Sequence, residues 1–105
     1  MTKMSDEQIQ SALSQAQEWS ELNGAIQRTC QFPDFKAAMA FVNRVADAAE
    51  ARQHHPDILI RYNKVTFTLS THDAAGITEK DFDLARTIDT FAGPTAPAKP
   101  KKTKT

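Results

Sequence analysis

The stretch KVTFTLST alternates strictly between polar and apolar side chains. Val65, Phe67 and Leu69 occupy every second position, so all three project from the same side of an extended chain. The pattern predicts a β-strand with one buried face and one polar face. The apolar run DILIRY precedes it. Asn63 and its neighbours predict the turn between these two strands, and Tyr62 is expected to pack in the sheet.

A second strand pair is predicted in WSELNGAIQRTCQF. Asn23-Gly24 lies at its centre, and this dipeptide favours the tight turns that join antiparallel strands, because both residues tolerate positive φ. The sequence therefore predicts two antiparallel hairpins.

Three helices are predicted around these hairpins. Ser5 and Thr78 each precede a glutamine or an aspartate at the third following position, which is the capping-box pattern of a helix start. Met4 and Ile77 are placed to contact apolar residues of the first helical turn (Ile9 and Phe82). Asp34 caps the middle helix, which runs to about Arg52. Apolar residues recur at helical spacing on one side of each helix: Ile9, Leu13 and Ala16 in the first; Phe35, Ala38, Met39, Val42, Val45, Ala46 and Ala49 in the second; Ala85, Ile88 and Ala92 in the third.

The resulting order is αββαββα. Tight hairpins make antiparallel neighbours, and one apolar side on each helix must be buried against the sheet. We therefore expect an α+β fold: a four-stranded antiparallel sheet with helices packed on one face.

Composition divides the chain near residue 92. Residues 92–105 hold three prolines, four lysines and no acidic residue, which is typical of a disordered tail. Residues 1–91 hold nine basic and thirteen acidic residues, a net charge of −4. A domain of this sign is a poor binder of nucleic acid or polyphosphate. We expect one folded domain over residues 1–91 and a disordered tail over residues 92–105.

The chain shows no sign of a membrane segment or a secretory leader, because it has neither an apolar run of about 18 residues nor an apolar N-terminal region. Cys30 is the single cysteine, so no intrachain disulfide can form. Its neighbours indicate a buried strand rather than a catalytic nucleophile. A cytoplasmic protein is expected.

All three histidines fall near one place in the predicted fold. His54 and His55 join the middle helix to a strand, and His72 follows the next strand. The hairpin between them brings these connections together. Surface histidines without a shared role are one interpretation, and a zinc site with three imidazoles is another. Adjacent extended residues point to opposite sides, so His54 and His55 cannot easily share an ion. Proton transfer is favoured instead, since an unperturbed imidazole has a pKa of about 6.5.

These residues also carry a resemblance. The spacing Glu50-x3-His54-His55-Pro56-x5-Tyr62-x9-His72-x8-Asp81 and the segment YNKVTFTLSTHDAAGITEKD resemble the pterin-4a-carbinolamine dehydratase family. The similarity extends from about Ser5 to Phe91. Gln53 stands where the family commonly has aspartate or asparagine, and Cys30 stands where it commonly has an aromatic residue.

The resemblance implies a dehydratase that removes water from a 4a-hydroxytetrahydropterin to give the quinonoid dihydropterin. It implies no metal and no organic cofactor, with the pterin as substrate. His54 and His72 would be the acid–base pair, and His55 would orient the substrate. The implied substrate-binding residues are Trp19, Glu50, Gln53, Ser70, Thr71, Asp73 and Asp81. Asp81 and Glu50 are candidates to orient imidazoles, although each could serve only its helix.

The resemblance also implies partners. An aromatic amino acid hydroxylase, such as phenylalanine hydroxylase, would supply the substrate, and a homodimer or homotetramer is expected. Two alternatives stay open. Animal members of the family also act as dimerisation partners of a homeodomain transcription factor, so the chain could be an interaction module. Some relatives are linked to molybdenum cofactor metabolism, so the pterin could be a different one.

Overall fold

The computed structural model describes residues 2–93. The chain forms three α-helices, α1 (Asp6–Ser14), α2 (Phe35–Arg52) and α3 (Glu79–Ala92), and four strands, β1 (Ser20–Leu22), β2 (Ala25–Gln31), β3 (Asp57–Arg61) and β4 (Lys64–Leu69). A single 3-10 turn, His72–Ala74, lies between β4 and α3. This order confirms the predicted αββαββα arrangement. The tail is predicted over residues 92–105; Ala92 is instead the last residue of α3, and residues 94–105 lie outside the described residues.

The four strands form one antiparallel sheet in the order β1-β2-β4-β3. Both predicted hairpins are present. Asn23 and Gly24 adopt φ values of 53° and 79°, the positive values that a tight turn with these residues requires. In the second hairpin Asp57 pairs with Thr68. The start of β3 and the end of β4 therefore lie side by side at one end of the sheet.

All three predicted helix caps are present. Ser5 accepts a hydrogen bond from the Gln8 backbone N–H, and Asp34 accepts one from Ala37. Thr78 and Asp81 form the capping box that starts α3. These contacts satisfy backbone donors that would otherwise have no partner in the first helical turn.

The core lies between the helices and one face of the sheet, as predicted. The sheet contributes alternate residues of β2 and β4: Ile26, Cys30, Val65, Phe67 and Leu69. Helix α2 contributes Ala38, Phe41, Val42, Val45 and Ala49. Helix α3 contributes Phe82, Leu84, Ala85 and Ile88. The opposite sheet face carries polar side chains such as Thr29 and Thr66, whose hydroxyls are 2.8 Å apart. The strict alternation in β4 thus becomes one covered face and one open face.

Some expected packing positions are wrong. Phe35 is 47% exposed at the first position of α2, and Phe41, one turn and a half further on, fills the core instead. Tyr62 is 66% exposed, because it lies in the β3–β4 turn with a φ of 53° and not in the strand. Ala92 is exposed at the end of α3. Ala16 is buried as predicted but lies just beyond the end of α1.

No helix among residues 2–93 is both long enough and apolar enough to cross a membrane.

Candidate active site

The end of α2 positions two histidines. Gln53 takes a left-handed conformation (φ 51°, ψ 42°), its N–H bonds to the Glu50 carbonyl, and the His54 N–H bonds to the Ala49 carbonyl at 3.1 Å. This is a Schellman motif, which reverses the chain at a helix end. Pro56 then favours extended geometry before β3. His54 and His55 are therefore held in a short connection of defined shape.

The His54 ring contacts a buried carboxylate. Its Nε2 lies 2.6 Å from Asp81 Oδ1, across 27 residues of sequence, and the imidazole is 11% exposed while Asp81 is fully buried. The other oxygen, Asp81 Oδ2, accepts the Thr78 N–H at 2.9 Å and the Thr71 hydroxyl at 3.0 Å. Among residues 2–93, Thr71, Thr78 and Asp81 are the three buried polar side chains, and they form one network. A buried carboxylate is tolerated only with such a set of donors.

The number of protons on each group determines which atom donates in each of these hydrogen bonds. Thr71 gives its hydroxyl proton to Asp81, so Thr78 donates in the 2.6 Å contact between the two threonine hydroxyls. Ionised Asp81 is an acceptor at both oxygens, so His54 Nε2 carries a proton. In neutral His54 the second nitrogen, Nδ1, then has a free lone pair. Nδ1 makes no hydrogen bond to any described residue and is the nitrogen left for a ligand.

His55 has a different environment. Its Nε2 lies 2.5 Å from Glu50 Oε1, with the two side chains 61% and 76% exposed. Solvent weakens such a pair, so its contribution to folding is small. The contact fixes the direction of the ring without burying it.

His72 opens the 3-10 turn beyond β4, and it is exposed. The bridge between Thr71 and Gly76, whose N–H to carbonyl distance is 2.8 Å, closes this loop. Thr71 contacts Asp81 and Asp81 contacts His54, so the residue before His72 is joined to His54 through one carboxylate. The structure thus brings the two connections together, while no hydrogen bond joins the three rings to one another among the described residues.

The remaining candidate residues divide into two groups. Gln53, Ser70 and Asp73 are exposed beside the histidines. Trp19 is only 4% exposed, and its indole N–H donates to Asp89 Oδ1 at 2.9 Å. This position leaves Trp19 little surface for contact with a ligand ring.

Trp19 belongs to a second polar cluster, which is partly buried at the edge of the core. Arg28 also pairs with Asp89, and the Arg28 side chain is 10% exposed. Burial raises the pKa of the nearby Cys30 thiol above its ordinary value, and the Arg28 charge opposes this shift only in part. A protonated, buried thiol is a poor nucleophile, as the sequence indicated.

Two cavities bear on the choice of site. A small one of about 230 Å³ lies beside His54 and is lined by Arg52, His54, Lys80 and Asp83. A larger one of about 640 Å³ lies on the open sheet face, near the β3–β4 turn around Tyr62. The turn is at the opposite end of β3 from the histidines, so the larger cavity is remote from this chemistry. Within residues 2–93, no group of three or more His, Cys, Asp or Glu side chains is placed to hold a metal ion.

Comparison with known proteins identifies the family. The family model described as pterin 4 alpha carbinolamine dehydratase matches residues 2–91. The chain belongs to this family.

Relatives of the chain in the pterin 4 alpha carbinolamine dehydratase family are close in sequence and length. Two carry the provisional name pterin-4-alpha-carbinolamine dehydratase. One, from Picosynechococcus sp., is 54% identical over 88 residues, covering 84% of this chain and 96% of its own. The other, from Nocardia farcinica, is 55% identical over 89 residues, covering 85% and 94%.

Solved structures agree with this fold. A transcriptional coactivator/pterin dehydratase from Brucella melitensis superposes with a TM-score of 0.85 at 34% identity, covering 88% of this chain and all of the other. A pterin dehydratase-like protein identified as a RuBisCO assembly factor in the alpha-carboxysome superposes with a TM-score of 0.61 at 20% identity, covering 73% and 89%. The second likeness concerns the fold alone.

Two residues next to the candidate site are not predicted from the sequence. Thr78 is predicted only as a helix cap but bonds to Thr71 and Asp81, and Lys80, which lines the cavity beside His54, has no predicted role. The capping pattern Thr78-x2-Asp81 was a usable signal, because a capping carboxylate keeps one oxygen for a second partner. Nothing local to Lys80 indicates that it borders a cavity beside His54.

Proposed function

We propose that this protein is a 4a-hydroxytetrahydropterin dehydratase. The observation that carries the proposal is the buried Asp81 carboxylate bound to His54, with His54 Nδ1 left for a ligand. In the reaction the C4a–oxygen bond breaks, the hydroxyl leaves as water after gaining a proton, and a ring N–H loses a proton. One acid and one base suffice, and each typically contributes about 10²–10⁴-fold.

His54 fits one of these two roles. Because Asp81 keeps the proton on Nε2, neutral His54 accepts a proton at Nδ1, and Asp81 stabilises the imidazolium that forms. His72, in the adjoining loop, is the proposed partner that gives or takes the second proton. His55, turned by Glu50, is proposed to orient the pterin.

The exposed polar side chains around the histidines are the proposed contacts of the pterin ring edge: Gln53, Ser70 and Asp73. Thr71 acts through Asp81 in this proposal, since its hydroxyl is already bound there. The proton transfers use side chains alone, so we propose that the reaction needs neither a metal nor an organic cofactor. We further propose a cytoplasmic enzyme supplied by an aromatic amino acid hydroxylase, because hydroxylation with a tetrahydropterin produces this carbinolamine.

The test is a dehydration assay with substrate generated by a phenylalanine hydroxylase, with EDTA present and the spontaneous rate subtracted. The purified protein should accelerate loss of the carbinolamine. His54→Ala and His72→Ala should each lower kcat about 100-fold or more. His55→Ala should raise KM more than it lowers kcat. Thermal melts exclude unfolding as the cause, and Gln10→Ala, an exposed change on α1, is the control. Wild-type rates in both His54→Ala and His72→Ala would refute the mechanism, and activity lost on chelation would indicate a metal instead.

An interaction module is the second candidate. The Brucella protein that superposes at 34% identity is described as a transcriptional coactivator as well as a pterin dehydratase. In this chain β3 lies at a sheet edge, and Leu59 on that strand is 57% exposed. An edge strand invites pairing with another chain. No acceleration of dehydration, together with an intact fold, would favour this candidate.

A further inference from the structure

The small cavity beside His54 is bordered entirely by ionisable side chains. Arg52 ends α2, while Lys80 and Asp83 belong to the first turns of α3, so the cavity lies where these two helices meet. Its volume of about 230 Å³ is below the range of roughly 300–1,000 Å³ typical of whole-ligand pockets. It suits a substituent of a ligand whose ring lies against His54.

Some of the charged side chains around this cavity have ion-pair partners among the described residues and one does not. Arg52 already has partners: its Nε lies 3.2 Å from Asp83 Oδ2, and its Nη2 lies 2.9 Å from the Thr87 hydroxyl. Arg86 adds a second guanidinium 3.8 Å from Asp83. Asp83 is therefore neutralised by its own neighbours.

Lys80 is the cation that remains. It forms no ion pair with any residue of the described range 2–93. Lys80 lines the cavity without an ion-pair partner in that range, so the charge bordering the cavity is positive although the domain carries a net charge of −4. A positive spot of this kind attracts a single anionic group, because oppositely charged groups in contact attract and the remainder of the surface repels anions.

We propose that Lys80 is a specificity-determining residue that binds an anionic substituent, such as a phosphate ester, on the side chain of the pterin. This inference rests on the proposed function, since it places the pterin ring at His54. Arg52 shapes the cavity through its contacts with Asp83 and Thr87, and Lys80 supplies the charge that contacts the anion. The preferred substrate class is then a pterin with a negatively charged side chain.

The experiment compares two probes: a dihydropterin whose side chain carries a phosphate ester, and the same dihydropterin with a free hydroxyl. Pterin fluorescence gives both Kd values at about 20 mM and about 500 mM salt. The wild type should bind the phosphorylated probe about two- to fivefold more tightly at low salt, and the preference should shrink at high salt. Lys80→Gln should bring the ratio of the two Kd values close to one.

Lys36→Gln is a matched control. Lys36 is exposed at the second position of α2, as Lys80 is at the second position of α3, and it does not border this cavity. It should retain the wild-type ratio, and thermal melts should show all variants folded. Equal Kd values in the wild type, an unchanged ratio in Lys80→Gln, or no binding of either probe would overturn the inference.

A parallel dehydration assay on the unphosphorylated carbinolamine separates this inference from the proposed function. Dehydration with a Kd ratio of one refutes the anionic specificity alone. A ratio that depends on Lys80 without any dehydration refutes the enzyme activity and keeps the binding site.

Discussion

Replacing Asp81 by asparagine tests whether its carboxylate sets the protonation pattern of His54. Two donors converge on Oδ2, the Thr78 N–H and the Thr71 hydroxyl, so the single amide oxygen of asparagine should stay there. The NH₂ group then faces His54 Nε2. Since this group donates, Nε2 must accept, and the imidazole proton moves to Nδ1. His54 keeps its place but loses the acceptor that the reaction needs.

The expected magnitudes differ for catalysis and for stability. Loss of a correctly protonated base should lower kcat about 10²–10⁴-fold. The cap on α3 survives, but all three hydrogen bonds to residue 81 change from charge-assisted to neutral. Because a neutral amide is also less costly to bury than a carboxylate, the net cost is about 1 kcal/mol. For a domain of this size that corresponds to a fall in Tm of about 4–8 °C.

Steady-state dehydration, thermal melts and ¹⁵N NMR of the histidine rings measure these effects together. Glu79→Gln is the matched control, because it also removes a carboxylate from the first turn of α3 but is exposed. It should change kcat less than twofold and leave the His54 signal in place. A kcat for Asp81→Asn within twofold of the wild type, or an unchanged tautomer with kcat lost, would refute the reasoning.

Three further predictions concern stability and assembly. Asp89→Asn removes the counter-ion of the mostly buried Arg28 and should lower the free energy of urea unfolding by about 2–3 kcal/mol. Asp83→Asn breaks an exposed pair and should lower it by less than about 1 kcal/mol. Equal losses in the two variants would contradict the argument from burial. The raised pKa of Cys30 keeps its thiol protonated in the folded state at a pH where the unfolded thiol ionises, so the free energy of unfolding should fall by up to about 1.4 kcal/mol per pH unit above the unfolded pKa. Cys30→Ala should not show this fall between about pH 8.5 and 10. An equal pH dependence in the wild type and the variant would refute the prediction. Light scattering at micromolar concentration should give at least twice the 11.7 kDa chain mass, because the edge strand β3 is open to pairing; a stable, active monomer would contradict this.

The features that the sequence predicted well are local ones. The Asn23-Gly24 turn and the caps at Ser5, Asp34 and Thr78 depend on residues within four positions of one another, and all are present. Their chemistry is set by backbone donors that any helix start or tight turn exposes.

Apart from Tyr62, which is exposed because of its place in the β3–β4 turn, the main errors concern contacts between distant segments. Phe35 and Phe41 both fit an apolar helix, and only the position of the sheet decides that Phe41 is buried. The sequence makes Asp81 a candidate to orient an imidazole but does not identify His54 as its partner. That choice depends on how α3 packs against the end of α2. Lys80 borders the cavity for the same reason.

The hydrogen bond between Trp19 and Asp89 gives the molecule an internal optical probe. Trp19 is the single tryptophan, it lies just before β1, and its partner is 70 residues away on α3. Its fluorescence emission should therefore be blue-shifted while α3 packs against the sheet. The emission should shift to the red when α3 separates from the sheet, whether the sheet unfolds then or later. Because Asp81, the carboxylate bound to His54, lies on the same helix, this one fluorophore monitors the integrity of the candidate site without any label.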